Sequence, residues 1–359
     1  MEWLELEGNY QEVGYQLGKW WGKYIKRLEK KPEGQQFLRS DHGKYKTWLR
    51  TGWSDDLLPL FRNAVIHFPE LISEIAGMTR GVIDAGLKTS IPAMFALTLG
   101  ETDEDCSSLT VRSNQGYILG HNEEDDYKYP LCFAKVKLKT PSGTRSFASI
   151  SHPFQLLGSS AGMTASFAFQ GNSIGYAGKE EKLLASWSSR IPKTFFSRKM
   201  LEMDSINEIV ALFSRHHTTL PNHHYVCFPD AAYSLEIRPK LDPLLSPSNQ
   251  ISVRTINETV DVHTNHFSFN GSIDDNWSWE KKYQKESINR EKKLAILIEK
   301  ERPTNALSVA EVLKDFAPKY PEKTSATLCF DIRKTGVTCE AWYYFEKSHQ
   351  RLVPLKIHF

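Results

Sequence analysis

The run Cys106-Ser107-Ser108-Leu109-Thr110-Val111-Arg112-Ser113-Asn114-Gln115-Gly116-Tyr117-Ile118-Leu119-Gly120-His121-Asn122-Glu123-Glu124-Asp125 decides how the middle of this chain folds. Leu109-Thr110-Val111 and Tyr117-Ile118-Leu119 have strand composition. Ser113-Asn114-Gln115-Gly116 between them has the composition of a tight β-turn. The pattern predicts an antiparallel hairpin. With the turn centred on Asn114 to Gly116, the register sets Cys106 opposite a residue between Glu123 and Asp125. A thiol at the start of one strand then faces acids at the end of the next. Carboxylates alone would raise the thiol pKa and suppress the thiolate. The cluster makes chemical sense if a cation or base stands between acid and sulfur. An α-amino group freed on Cys106 would serve, since such groups titrate at about 7.7–8.0.

Outward from the hairpin, the preceding hundred residues read as helical. Asn9 and Glu12 form a capping box ahead of Val13, Leu17, Trp20, Trp21, Tyr24 and Leu28, and Gly14 and Gly18 make a small-residue face for close approach. A second helical stretch starts near Ser54, is interrupted by Pro59 and Pro69, and resumes from Glu70 to Val82. A short helix over 90–100 leads to an acidic loop, Glu101 to Asp105. After the hairpin, strands are expected at 132–138, 146–150 and 166–174, and helices at 193–203 and 205–213. Strands follow at 225–228, 233–237 and 251–253, then helices at 280–300 and 308–316, and closing strands at 326–332 and 338–345. Strands and helices in blocks point to an α+β layered fold and not to a repeating βαβ unit.

Composition narrows the function classes. The 359 residues are 40% hydrophobic and 25% charged with net charge +2, as in a globular enzyme. No basic stripe suits a nucleic acid, and no apolar run is long enough for a membrane span. The start, Met1-Glu2-Trp3-Leu4, has no secretory character. Five widely spaced cysteines (106, 132, 227, 329, 339) without a CxxC pair predict reduced thiols and a cytoplasmic location. The sequons at Asn257, Asn270 and Asn276 are then chance. His216, His217, His223, His224, His263 and His266 raise the question of zinc, but no His-x3-His and no Cys at ligand spacing accompany them, so no metal and no cofactor are expected.

Eight segments, in order along nearly the whole chain, resemble the acyl-coenzyme A:6-aminopenicillanic acid acyltransferase family (peptidase C45-like). That family lies within the choloylglycine-hydrolase-like N-terminal-nucleophile (Ntn) hydrolases. The segments are Gly8 to Gly18, Glu70 to Gly86 with Glu74-Ile75-Ala76-Gly77, Cys106-Ser107-Ser108, Gly120 to Asp125, Gly171-Asn172-Ser173, Ile191-Pro192 to Arg198, His263-Thr264-Asn265-His266-Phe267, and Ser287-Ile288-Asn289-Arg290.

The resemblance implies a four-layer αββα sandwich, with a helical N-terminal segment over 1–105 (a propeptide or α-subunit) and the catalytic domain over 106–359. It implies a cysteine amidohydrolase or acyltransferase acting on a small linear N-acyl amide or acyl thioester. Cys106 would be the nucleophile, after self-cleavage at Asp105–Cys106. Glu124 or Asp125 would be the acid, Arg290 its partner beside the nucleophile, and Asn265 an oxyanion donor with Asn172. His263 and His266 would position Asn265 or line the pocket. Two departures stand out: Asp105 replaces the family's Gly before the nucleophile, where Gly permits conformations that Asp resists, and Glu124 occupies the usual Asp position. An uncut cysteine peptidase pairing Cys106 with a histidine such as His263, and a non-catalytic relative, are the alternatives. Homo-oligomerisation stays open.

Overall fold

A computed structural model describes residues 3–31, 57–99, 105–124, 129–174, 190–239, 250–268, 281–316, 324–345, 350–352 and 354–357. Among these it is a mixed helix-and-sheet protein built on two large sheets. The predicted hairpin is present. β2 (Asp105–Ser113) pairs antiparallel with β3 (Gly116–Glu124), and the register sets Cys106 opposite Glu123. Gly116 takes φ +146°, a region open to glycine, where the chain leaves the turn.

β2 and β3 belong to a seven-stranded sheet with β13 (Val260–His263), β14 (Thr324–Arg333), β15 (Gly336–Tyr343), β16 (Gln350–Arg351) and β17 (Leu355–Ile357). The eight-stranded sheet runs β1 (Leu4–Gly8), β4 (Cys132–Thr140), β5 (Gly143–Ser151), β6 (Ala161–Thr164), β7 (Ala168–Ser173), β10 (Asn222–Cys227), β11 (Ala232–Arg238) and β12 (Gln250–Thr255). Two short strands, β8 (Arg190–Ile191) and β9 (His217–Thr218), pair separately. The two sheets face each other where β2 meets β7 and β10. There Ser108 Oγ donates to Asn172 Oδ1 at 2.6 Å, and Thr110 Oγ1 lies 3.9 Å from the Cys227 sulfur. On the outer side of the seven-stranded sheet, α7 (Lys281–Glu301) and α8 (Ala306–Phe316) bury Leu294, Ile298, Val309 and Leu313 against Leu109, Val111, Ile118 and Cys329.

The segment before Cys106 is not all helix. Leu4–Gly8 forms β1, which runs parallel to β4 from Leu4↔Ala134 to Gly8↔Leu138. The alternation Leu4, Glu5, Leu6, Glu7 has period two, and it overrides the helical pattern that starts only after the Asn9 cap. Pro59 does not interrupt a helix. It sits in the first turn of α2 (Leu58–His67), as Pro69 does in α3 (Pro69–Asp84), where the missing N–H costs nothing. The start expected near Ser54 and the acidic run 101–104 lie outside the described residues, while Ser90 caps α4 (Ile91–Leu97) as expected.

α1 (Tyr10–Leu28), capped by Asn9 and Glu12, crosses α3 through glycines from both helices. A Cβ on Gly14 or Gly18 would land on the Glu74 or Met78 carbonyl oxygen; one on Gly77 or Gly81 would strike Gln11 or Tyr15 backbone. α3 in turn holds α5 (Lys193–Met200) through a fully buried bidentate pair, Arg198 on Glu74 with Nη2–Oε2 at 2.9 Å. α6 (Ile206–Arg215) follows with its own capping box, Ser205 and Glu208.

The glycine crossing is directly testable. Leucine is the better helix former by about 1 kcal/mol, but backbone carbonyls cannot withdraw, and overpacking costs about 1–3 kcal/mol or more. Gly18→Leu is therefore expected to lower the urea-unfolding free energy by at least about 1 kcal/mol; equal or higher stability would refute the close crossing.

Candidate active site

Cys106 is buried at the start of β2. The β13 ladder on that edge ends at His263↔Ser108, so the Cys106 N–H lies beyond the last strand partner. A side chain takes over: Asn265 Oδ1 accepts the Cys106 N–H at 3.0 Å. The same oxygen accepts Arg290 Nη2 at 2.6 Å, and Asn265 Nδ2 donates to the Ser173 carbonyl at 2.7 Å. Two donors on one side and a carbonyl on the other leave the amide a single orientation.

α7 supplies the clamp. Ser287 and Arg290, three residues apart, share a helix face. Ser287 Oγ accepts the Asn265 N–H at 2.8 Å and lies 2.8 Å from Thr264 Oγ1 and 2.9 Å from His266 Nδ1. Arg290 Nη1 reaches the Cys106 carbonyl at 3.5 Å, Ser107 Oγ at 3.3 Å and Glu124 Oε2 at 3.3 Å. Ser107 Oγ donates to Glu124 Oε2 at 2.7 Å. Glu124 thus stands with Arg290 next to the Cys106 backbone, and Asp125 lies outside the described residues.

Strand alternation puts a second charged group on the other face, with the sulfur. Glu123, the cross-strand partner of Cys106, has Oε1 at 2.9 Å from His121 Nε2. Its Oε2 accepts Tyr129 Oη–H at 3.0 Å and lies 3.5 Å from His152 Nε2. Burial alone would raise its pKa, but His121 and then His152 hold the carboxyl well below the ordinary range. Cys106, His121 and Glu123 each offer a donor atom within 4.8 Å of the others. That trio has metal-ligand chemistry, yet His121 and Glu123 are already hydrogen-bonded to each other, so a proton holds the pair. Sequence reading missed His121, Glu123, Tyr129 and His152 as site residues. The hairpin register carried the signal for the first two, and nothing local marked the others.

Asn172 ties β2 to the loop after β13. Its Nδ2 bonds the His263 and Thr264 carbonyls at 3.2 and 3.0 Å, and its Oδ1 accepts Ser108. His263 does not serve as the thiol's partner. It stacks on His223 with ring centroids 3.6 Å apart, and it lines, with Arg254, Asp261 and Glu291, a cavity of about 660 Å³ whose wall does not include Cys106. His266 supports Asn265 through Ser287. Phe195 and Phe196 are fully buried core against Phe68.

No protein-family profile matches the chain, and no curated protein matches it. Among solved structures, it is similar to the Caenorhabditis elegans N-acylethanolamine-hydrolyzing acid amidase (NAAA) ortholog. The TM-score is 0.45 at 17% identity, over 62% of this chain and 92% of that one. No helix among the described residues is long and apolar enough to cross a membrane, and the five cysteines are all buried and none is in a disulfide.

Two outcomes follow from the geometry. Arg290→Met strands the buried Glu124 carboxylate and should cost about 3–5 kcal/mol in urea unfolding; a loss under about 1 kcal/mol would show that the clamp is not formed. The second concerns acid. Burial and then the Lys193 charge hold His224 down at about 3, and burial, His263 and Arg290 hold His266 at about 4. Both are neutral when folded, so the unfolded chain takes up protons first as pH falls below the ordinary value of 6.5. Stability present above that value should drain by about 1.4 kcal/mol per pH unit per group down towards pH 4. His224→Phe should make the slope shallower by about one proton; an unchanged slope in urea titrations would contradict the assignment.

Proposed function

We propose that the protein is a cysteine amide hydrolase of the Ntn kind, with Cys106 as nucleophile and the two facing sheets as the inner layers of an αββα sandwich. The observation that carries this reading is the receptor around the Cys106 nitrogen. Asn265 Oδ1, itself held by Arg290, accepts that N–H where a strand neighbour is missing. An α-amine released by cleavage at Asp105–Cys106 would keep the same acceptor. The adjacent guanidinium would disfavour its protonated form and so favour the free base.

In the reaction the sulfur adds to an amide carbonyl and forms a C–S bond. The C–N bond then breaks as the leaving amine takes a proton, and the thioester passes its acyl group to water or to an acceptor amine. Asn265 Nδ2, which donates to the Ser173 carbonyl in the structure, would also serve as the oxyanion donor; losing one such donor typically costs about 2.7–4 kcal/mol of barrier. Glu124 balances Arg290 and fixes it over the Cys106 carbonyl. The substrate class is a small linear N-acyl compound.

The test is a mass-spectrometric screen of N-acyl amino acids and N-acyl amines with the purified chain, run with and without a free amine acceptor. Cys106→Ala should lower turnover by about a thousandfold or more and should abolish any fragment that begins at Cys106. Turnover that survives Cys106→Ala would end this reading.

A further inference from the structure

The proton inventory around His121 can be worked out from its neighbours. Asn172 Nδ2 lies 3.2 and 3.0 Å from the carbonyl oxygens of His263 and Thr264 and 3.4 Å from His263 Nδ1; two carbonyl acceptors require the amide nitrogen there, so Oδ1 faces Ser108. Asn172 Oδ1 takes the single hydroxyl proton of Ser108. Ser108 Oγ, 3.0 Å from His121 Nδ1, is then left to accept, so Nδ1 carries a proton. The other nitrogen, Nε2, stands 2.9 Å from Glu123 Oε1. A bare nitrogen lone pair against a carboxylate oxygen would repel, so a second proton lies between them. Both side chains are fully buried, and the Cys106 sulfur is the third member of the group whose atoms lie within 4.8 Å.

We propose that the His121–Glu123 pair is the acid–base partner of the Cys106 thiol in the uncut chain. This rests on the reading of Cys106 as nucleophile and deepens it. Before cleavage the Cys106 nitrogen is a peptide amide and has no basicity, so another base must take the thiol proton. Glu123 lies directly across the ladder from the sulfur, and the His121 imidazolium offers the positive charge that a thiolate needs.

The protons balance. The Sγ–H proton moves to Glu123 as sulfur bonds the carbonyl carbon. When the C–N bond breaks, the pair returns that proton to the leaving nitrogen. Water then gives a proton to the pair while it attacks the thioester, and the proton returns to Sγ as the C–S bond breaks. The attacked carbonyl can be that of an amide substrate or that of Asp105 itself, in which case the leaving nitrogen is the Cys106 amine. Among the described residues, Tyr129 and His152 also face Glu123 and adjust how firmly it holds the proton.

Alkylation of Cys106 by iodoacetamide, followed by intact mass and peptide mapping on the full-length chain across pH, tests this without any amide substrate. The other four thiols give little background, because burial pushes each upward, Cys227 to about 12. Glu123→Gln is the informative variant: its amide N–H can bond the bare Nε2 of a neutral His121, so the fold has a partner for every atom while the proton acceptor is gone. His121→Gln is the second.

Near neutral pH both should alkylate Cys106 at least about tenfold more slowly. Their rates should rise steadily with pH where the wild type levels off, and any fragment beginning at Cys106 should appear correspondingly later. If Glu123→Gln keeps its melting temperature together with the wild-type alkylation rate and pH profile, the proposal is overturned. Slowed alkylation in a protein that hydrolyses no amide would instead sink only the amide-hydrolase reading. Cys106-dependent hydrolysis with unchanged alkylation in Glu123→Gln would sink only the acid–base pair.

Discussion

The ladder between β2 and β3 is the constraint on which the site depends. Because side chains alternate across a strand, one register divides the polar run 121–124 between two faces. His121 and Glu123 go with Cys106 and Ser108 toward the opposing sheet; Asn122 and Glu124 go with Ser107 toward α7 and α8. A one-residue slip would exchange the two sets and place an unpaired carboxylate on each face. Burying a carboxylate without a partner costs several kcal/mol, so the register is stabilised by the pairs it creates: Glu124 with Arg290 on one side, Glu123 with His121 on the other.

These pairs explain why elements distant in sequence must meet here. Arg290 reaches its place only if α7 lies along the loop after β13, and Ser287, one turn earlier, enforces that by holding the Asn265 backbone. Asn172 fastens the same loop to the other sheet, which makes it a structural hinge-pin between Ser108 and residues 263–264. At the N-terminal helices the Arg198–Glu74 pair plays a comparable part, joining α5 to the helix that crosses α1 through glycines.

Much of this was legible in the sequence because it is local. The turn composition at 113–116 set the hairpin register, and the Asn9–Glu12 box and the Gly14/Gly18 spacing announced a helix with a close neighbour. The segments that looked alike as separate motifs, around Asn265 and Arg290, do converge on Cys106. What was not legible depended on contacts across the fold. The period-two signal of Leu4 to Glu7 was too short to compete with the helix behind it, and its partner strand lies more than a hundred residues on. His121 was in view as part of an acidic run, but its role turns on Ser108 and Asn172, and Asn172 comes from the other sheet. Asn172 could be matched to a motif, yet which of its amide atoms is spent on which neighbour is fixed only by packing.

If Cys106 is the nucleophile proposed above, the two faces of the ladder serve two stages of chemistry. The Asn265–Arg290 side attends to the Cys106 nitrogen, which becomes a base only when the bond to Asp105 is broken. A group created by a cleavage cannot catalyse that cleavage. The His121–Glu123 side attends to the sulfur and is complete while Asp105 still pairs with Glu124 in an unbroken strand. A carboxylate directly opposite favours the protonated thiol, and the proposed proton on His121 is the charge that offsets it. The sequence made chemical sense if a cation or base stood near these acids, and the fold brings His121 there from the next pair on the same face of the ladder. On the proposed reading the strand would hold Cys106 between a base that exists from the moment of folding and a base that only a cut can release.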